Sequence, residues 1–233
     1  MVNNHIPLEK LSYWKEIQKW VKERYENYEP IFQQIEESYN AYLKDLPDYG
    51  GKDNNHSHAI YGAVLVFSFV QALPERIPNE KLQGFIEELF MGQLKTLGKL
   101  ININRPLDMR LAASIFINSA KKDQVQAQKY PDTFITEFEP YDVKNHAVRY
   151  SFTQCPNAQF AKKYNLLHIL PLMCNSDFYG ISQIHGKLIR CSTCGTGNIC
   201  DYLIVGNQNP IAKEYETVMD EGGFLVSRRI RNE

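Results

Sequence analysis

The chain has 233 residues, 43% of them hydrophobic and 23% charged, with a formal net charge of -1. That length suits one sizeable core, and the lack of a basic excess speaks against a nucleic-acid partner. No apolar run approaches the roughly 18 residues of a membrane-spanning helix, and the first ten residues lack the apolar centre of a secretory signal. A cytoplasmic protein with no membrane partner is therefore expected.

Residues 8–25 carry Leu8, Leu11, Trp14, Ile17, Val21 and Tyr25 at the three-and-four spacing of an amphipathic helix. Pro30 suits the start of a second helix over 31–46, with Ile35, Tyr39, Tyr42 and Leu43 on one face, and Pro47 ends it. Residues 47–58 are polar and turn-like. They hold His56 and His58, read as solvated unless this loop reaches over a site built elsewhere. Residues 59–73 are apolar nearly all round, which predicts a buried helix. Another helix is predicted from residue 78 to about 100, and a further one from 107 to about 128.

The pattern changes near Tyr130. Residues 133–139 and 146–153 alternate as strands do, with a turn at 140–145 between them. Cys155-Pro156 follows the second strand, and Pro156 is placed to open a helix over 157–164. After an irregular stretch, 187–192 and 200–205 read as two more strands around a turn at 195–198, and 224–230 as a last one. The expected fold class is α+β. A helical region, residues 1–130, packs on a small antiparallel sheet in the α+β region 131–233, the two forming one compact unit.

All five cysteines lie between Cys155 and Cys200. In a reducing cytosol such thiols are free, catalytic or metal-binding rather than disulfide-bonded. Cys155 stands at a strand-to-helix junction, where the helix N-terminus favours thiolate. Cys174 and Asp177 are three positions apart. Cys200 and Asp201 are adjacent on a predicted strand and so face opposite ways. Plain alternatives exist: a buried small hydrophobe for each of these cysteines, a cap or turn for Asp177, a solvated or turn-bonding carboxylate for Asp201. His168, in the apolar segment 166–172, fits either a hydrogen-bonded core residue or a base for Cys155. Cys191 and Cys194 make a single C-x-x-C pair, which is weak support for zinc.

These residues carry a resemblance. The segment 151–205 resembles the L-2-amino-thiazoline-4-carboxylate hydrolase family through Phe152-Thr153-Gln154-Cys155-Pro156, Ala158 and Phe160, Cys174, Asp177-Phe178, Leu188, Arg190, Thr193, Gly197 and Cys200-Asp201-Tyr202. It departs from the family in having Gly197-Asn198 where a glycine-aspartate turn is usual, and in the extra Cys191 and Cys194. The resemblance implies hydrolytic opening of a cyclic amidine or thiazoline ring to a carbamoyl product, with no cofactor and a small-molecule substrate. The residues expected to act are Cys155, Asp177, Cys174 and His168. Asn157, Arg190, Thr193, Cys200 and Asp201 are expected to contact substrate.

Three mechanisms are open. In the first and preferred one Cys155 attacks as thiolate, because its junction position offers a route to a lowered pKa. In the second Asp177 is the general base on water. In the third Cys155, Cys174 and Cys200 hold a zinc ion. Two other function classes compete: a non-catalytic small-molecule-binding module similar to the 4-vinyl-reductase-type domain, and a metal-thiolate module with a local similarity to organomercurial lyases. Convergence of Cys155, Cys174 and Asp177 on one polar, solvent-connected pocket favours an enzyme, and a dry, separated arrangement favours a binder. Assembly as a homo-oligomer is compatible with the sequence.

Overall fold

The helix α3 (Ser57–Ala72) sets the layout of the N-terminal half. It carries no Asp, Glu, Lys or Arg and is buried along nearly its whole length in the computed structural model, which describes residues 4–230. A helix apolar all round is stable only inside a core. α1 (Ser12–Lys22) turns Trp14, Ile17 and Val21 inward, and α2 (Glu29–Asp45) does the same with Ile31, Ile35 and Tyr39. α4 (Asn79–Met91), α5 (Gln93–Gly98) and α6 (Pro106–Lys129) follow. No helix among the described residues is long and apolar enough to cross a membrane.

Two of the predicted helices are interrupted. Residues 8–10 form a single 3-10 turn, and Leu11 is extended before α1 begins. The helix expected over 78–100 is divided at Gly92, whose intrinsic helix preference is lower than that of any residue but proline.

β1 (Ile135–Phe138), β2 (Val148–Gln154), β3 (Gly186–Ile189) and β4 (Cys200–Gly206) form an antiparallel sheet in the order β1-β2-β4-β3. Thr136 pairs with Phe152, Phe152 with Cys200, and Tyr150 with Tyr202. Because side chains alternate along a strand, these five residues share one face. Between β2 and β3 run three short helices, α7 (Pro156–Lys163), α8 (Pro171–Cys174) and α9 (Ser176–Gln183). The architecture is α+β, with most helix in the N-terminal half and antiparallel sheets in the C-terminal half. One hydrophobic cluster runs from Ile6 to Val226 through both.

The strand expected over 187–192 stops at Ile189. Beyond it the backbone finds other partners. Arg190 exchanges bonds with Ser227, and the Asp201 carboxylate accepts the N–H groups of Cys191 at 3.0 Å and Ser192 at 2.6 Å. After α10 (Pro210–Lys213), β5 (Tyr215–Met219) and β6 (Leu225–Arg229) make a hairpin. β6 lies within the strand expected at 224–230. β5 was not anticipated, since Tyr215-Glu216-Thr217-Val218-Met219 is largely exposed and carries little apolar alternation. Its turn needs a left-handed residue, supplied by Gly223 at φ +83°, and Asp220 Oδ1 accepts the N–H groups of Gly222 and Phe224.

Packing of the two halves can be tested at Phe67 of α3, which is fully buried and stacks on Phe160 of α7 at 5.2 Å. Phe67→Ala should cost about 3–5 kcal/mol of unfolding free energy in urea titration. Leu107→Ser, at an exposed position of α6, should change it by less than about 0.5 kcal/mol.

Candidate active site

Between the sheet face and the helices lies a cavity of about 480 Å³. That volume is within the usual range of small-molecule sites. Thr136, Tyr150, Phe152, Cys200 and Tyr202 form its floor. Its walls come from the start of α3, from α4 to α6, and from Cys155, Cys174 and Asp177 on the short helices. Most of the lining is aliphatic or aromatic, so the few polar groups stand out.

Asp177 lies in the first turn of α9 with its side chain 28% exposed. Its Oδ2 is held from two directions: the Tyr202 hydroxyl donates at 2.7 Å and Arg190 Nη1 at 3.2 Å. Its Oδ1 has no hydrogen-bond partner among the described residues. Burial raises the pKa of the Asp177 carboxyl above the ordinary carboxylate value, with Arg190 and Tyr202 acting against that rise. Arg190 itself is fully buried. It also donates to the carbonyls of Cys174 at 2.9 Å and Leu225 at 3.0 Å, and its guanidinium lies over the Phe178 ring at 4.9 Å. The arginine anchors the carboxylate through Oδ2 and leaves Oδ1 without a hydrogen-bond partner among the described residues.

The thiols behave differently from expectation. Cys155 is the N-cap residue of α7, and the N–H groups of Asn157 and Ala158 favour its thiolate. Burial outweighs them, Cys200 nearby adds to it, and the thiol is pushed up to about 12. The lowered pKa anticipated from the junction is therefore absent from the free site: the helix end is present, but desolvation wins. Burial also raises Cys174, with Arg190 opposing. Cys200 is raised by its hydrogen bond with the Cys194 thiol and by burial, and its sulfur accepts the Cys194 N–H at 3.0 Å.

Cys155, Asn157, Cys174, Asp177 and Cys200 all line the one cavity. The other residues singled out in the sequence do not. Arg190 does not line the cavity but touches three residues that do, Asp177, Cys174 and Tyr202. Asp201, on the opposite face of β4, organises the loop before it. Thr193 is buried in that loop, its hydroxyl 3.3 Å from that of Thr196. His168 is exposed, neither in the core nor at the cavity, and its carbonyl accepts from Asn79 at 2.7 Å. It precedes α8 on a turn that carries its ring outward, so it is not placed to activate Cys155. All five cysteines are free. Cys155, Cys174 and Cys200 share the cavity without clustering as ligands do: among the described residues no group of three or more His, Cys, Asp or Glu side chains could hold a metal ion.

Sequence reading assigned no site role to His56, Asp123, Thr136, Tyr150 and Tyr202, all of which line the cavity. The 47–58 loop does reach over the site. His56 Nε2 lies 2.9 Å from Oδ2 of the buried Asp123, and the Thr136 hydroxyl donates to the same oxygen at 2.8 Å. The alternation of Tyr150 with Phe152 and of Cys200 with Tyr202 was a usable signal for the floor. Asp123, a lone carboxylate in a long helix, offered none.

The family model described as L-2-amino-thiazoline-4-carboxylic acid hydrolase matches residues 57–204. That span opens at the first residue of α3, closes within β4, and holds every cavity residue named above except His56. Comparison with curated proteins and with solved structures produced no match. The matched span is more than half of the chain and contains the site, and this chain belongs to the L-2-amino-thiazoline-4-carboxylic acid hydrolase family.

Proposed function

We propose that the protein hydrolyses 2-amino-thiazoline-4-carboxylate or a close relative, opening the ring to an N-carbamoyl-cysteine. The observation that carries this reading is Asp177, a cavity residue whose Oδ2 is pinned by Arg190 and Tyr202 and whose Oδ1 has no partner among the described residues. The convergence of Asp177, Cys155 and Cys174 on one cavity supports an enzyme over a binding module, although the lining is mostly apolar. The five free thiols fit a reducing compartment, and we place the protein in the cytoplasm.

In this reading Asp177 acts as general base. Its raised pKa makes it a stronger base than an ordinary carboxylate. Oδ1 takes a proton from a water molecule, and the water oxygen bonds to the ring carbon that carries two nitrogens and the sulfur. The carbon–sulfur bond then breaks, and the proton passes from Asp177 to the departing sulfur. A thiolate leaves readily, its conjugate acid having a pKa of about 8.5. Tyr202 and Arg190 hold the carboxylate in one rotamer. Cys155, Cys174 and Cys200 shape a wall that is un-ionised in the free site. The cavity is larger than one five-membered ring needs, so ring-substituted relatives also fit.

A second reading has its own observation. The N–H groups of Asn157 and Ala158 act on the Cys155 sulfur and favour its thiolate. If a neutral amidine takes the Cys155 proton, the thiolate can attack the same ring carbon. The ring sulfur is expelled, and a thioester-like isothiourea on Cys155 is left for water to resolve.

Mass spectrometry with 2-amino-thiazoline-4-carboxylate should show a product heavier by one water. Asp177→Asn should lower kcat by at least about 100-fold. An unreactive wild type, or an undiminished Asp177→Asn, refutes the proposal. The rate of the wild type should fall as pH drops through the Asp177 pKa, because protonation removes the base, and this limb should lie above the range of an exposed aspartate. Cys155→Ala should retain kcat within about tenfold if Asp177 activates water. Loss of turnover there, with a substrate adduct on wild-type Cys155 in intact-mass spectra, would instead establish the thiolate route.

A further inference from the structure

The cavity has a second polar pole, which the proposed chemistry at Asp177 does not use. Its centre is His56, at the N-cap of α3, with a side chain 23% exposed. Asp123 stands behind it at 3% exposure, and its carboxylate gathers three donors: His56 Nε2 at 2.9 Å, the Thr136 hydroxyl at 2.8 Å and Asn55 Nδ2 at 3.4 Å. A carboxylate only accepts, so His56 presents Nε2–H to it and keeps Nδ1 for another partner. Nδ1 has no hydrogen-bond partner among the described residues.

Three observations say what that partner is. First, among the residues lining the cavity His56 is the sole basic side chain: no Lys or Arg is present, and Arg190 is committed behind Asp177. Second, the pole coincides with the N-terminus of the sixteen-residue α3. Ala59 of its first turn lines the cavity, no side chain caps this end, and its first turn holds no acidic residue. A helix end of that kind attracts an anion. Third, a chain of aromatic rings links the two poles. The His56 ring is 4.9 Å from Phe134 and 6.0 Å from Phe152, and Phe152 is 5.5 Å from Tyr202, the donor to Asp177.

We infer that His56, backed by Asp123, is the carboxylate-recognition residue of the site. It selects cyclic amidines that bear an anionic substituent and sets them with the amidine toward Asp177 and the carboxylate toward the start of α3. This rests on the reading of the cavity as the site for a carboxylated thiazoline. A ligand of that class carries a cation and an anion on a small ring, and the cavity offers the Asp177 carboxylate for the first and, beside the start of α3, the His56 imidazole for the second. Protonated at Nδ1, the imidazole would lie between two carboxylates, Asp123 and the ligand's, with a donor for each. His56 is the one named cavity residue that lies outside the span matched by the family model, adjoining its first residue.

The test compares thiazolidine-4-carboxylate with thiazolidine by calorimetry on the full chain, neither being a substrate for the proposed ring opening. Wild type should bind the carboxylate on the order of tenfold or more tightly than the parent ring. His56→Gln, checked for folding by circular dichroism, should abolish that preference. On the wild type, diethyl pyrocarbonate modification of His56, mapped by peptide mass spectrometry, should be blocked by thiazolidine-4-carboxylate and not by thiazolidine. This readout holds even if the variant does not fold. Equal affinity of the two ligands for wild type, a preference that survives His56→Gln, or absence of protection overturns the inference. The two proposals fail separately. A wild type that prefers the carboxylate through His56 yet opens no aminothiazoline loses the proposed reaction and keeps the recognition residue. One that opens the ring without a His56-dependent preference does the reverse.

Discussion

A guanidinium shut away from solvent needs its counter-charge and its hydrogen bonds inside the protein, and the arrangement around Arg190 follows from that need. Its Nη1 meets Asp177 and the end of α8, its Nη2 meets β6, and its backbone is tied to Ser227. One side chain thereby joins the short helices, the loop after β3 and the C-terminal hairpin. Asn175 doubles the link, donating to the Gly223 carbonyl and accepting the Leu225 N–H. Breaking a buried pair from one side strands the other charge, at about 3–5 kcal/mol. The pair here is incomplete, because Arg190 Nε is buried without a partner among the described residues, and the Phe178 and Tyr202 rings beside the guanidinium offset part of that cost. The same constraint leaves Asp177 as a carboxylate with one free oxygen.

The cavity follows from two periodicities meeting. Period-two alternation on β2 and β4 puts aromatic rings and a thiol on one sheet face, and helices with apolar stripes cover it. Such a lining excludes water and disfavours charge. That is why the thiols are pushed toward their neutral forms and why Asp177 needs an arginine behind it. Polar groups are few in the lining, and the two poles each have a built support: Arg190 and Tyr202 for Asp177, Asp123 with Thr136 for His56. In low dielectric these supports matter more than they would at a surface.

Much of this was legible in the chain itself. The helical half, the strands at β2 and β4, the helix opened by Pro156 and the clustering of Cys155, Cys174, Asp177 and Cys200 are local patterns, and local patterns survive folding. The errors share a cause. His168 looked like a core histidine because its neighbours are apolar, yet the turn before α8 carries it outward. Cys155 looked activated because its helix end is local, whereas the desolvation that outweighs it comes from the sheet and helices packed around it. β5 was invisible because its pairing with β6, rather than its own composition, makes it a strand.

By itself, then, the sequence determined the α+β class and the clustering of thiols and carboxylates between Cys155 and Asp201, because periodicity, proline placement and residue chemistry are properties of short segments. Tertiary structure alone decided which of those residues lie together. It seated Arg190 against Asp177, turned Asp201 and Thr193 away, and brought His56 and Asp123 from separate helical segments to the cavity. Pairing across 13 and 67 positions and the balance between burial and counter-charge depend on how elements pack, and no short stretch of the chain carries that information.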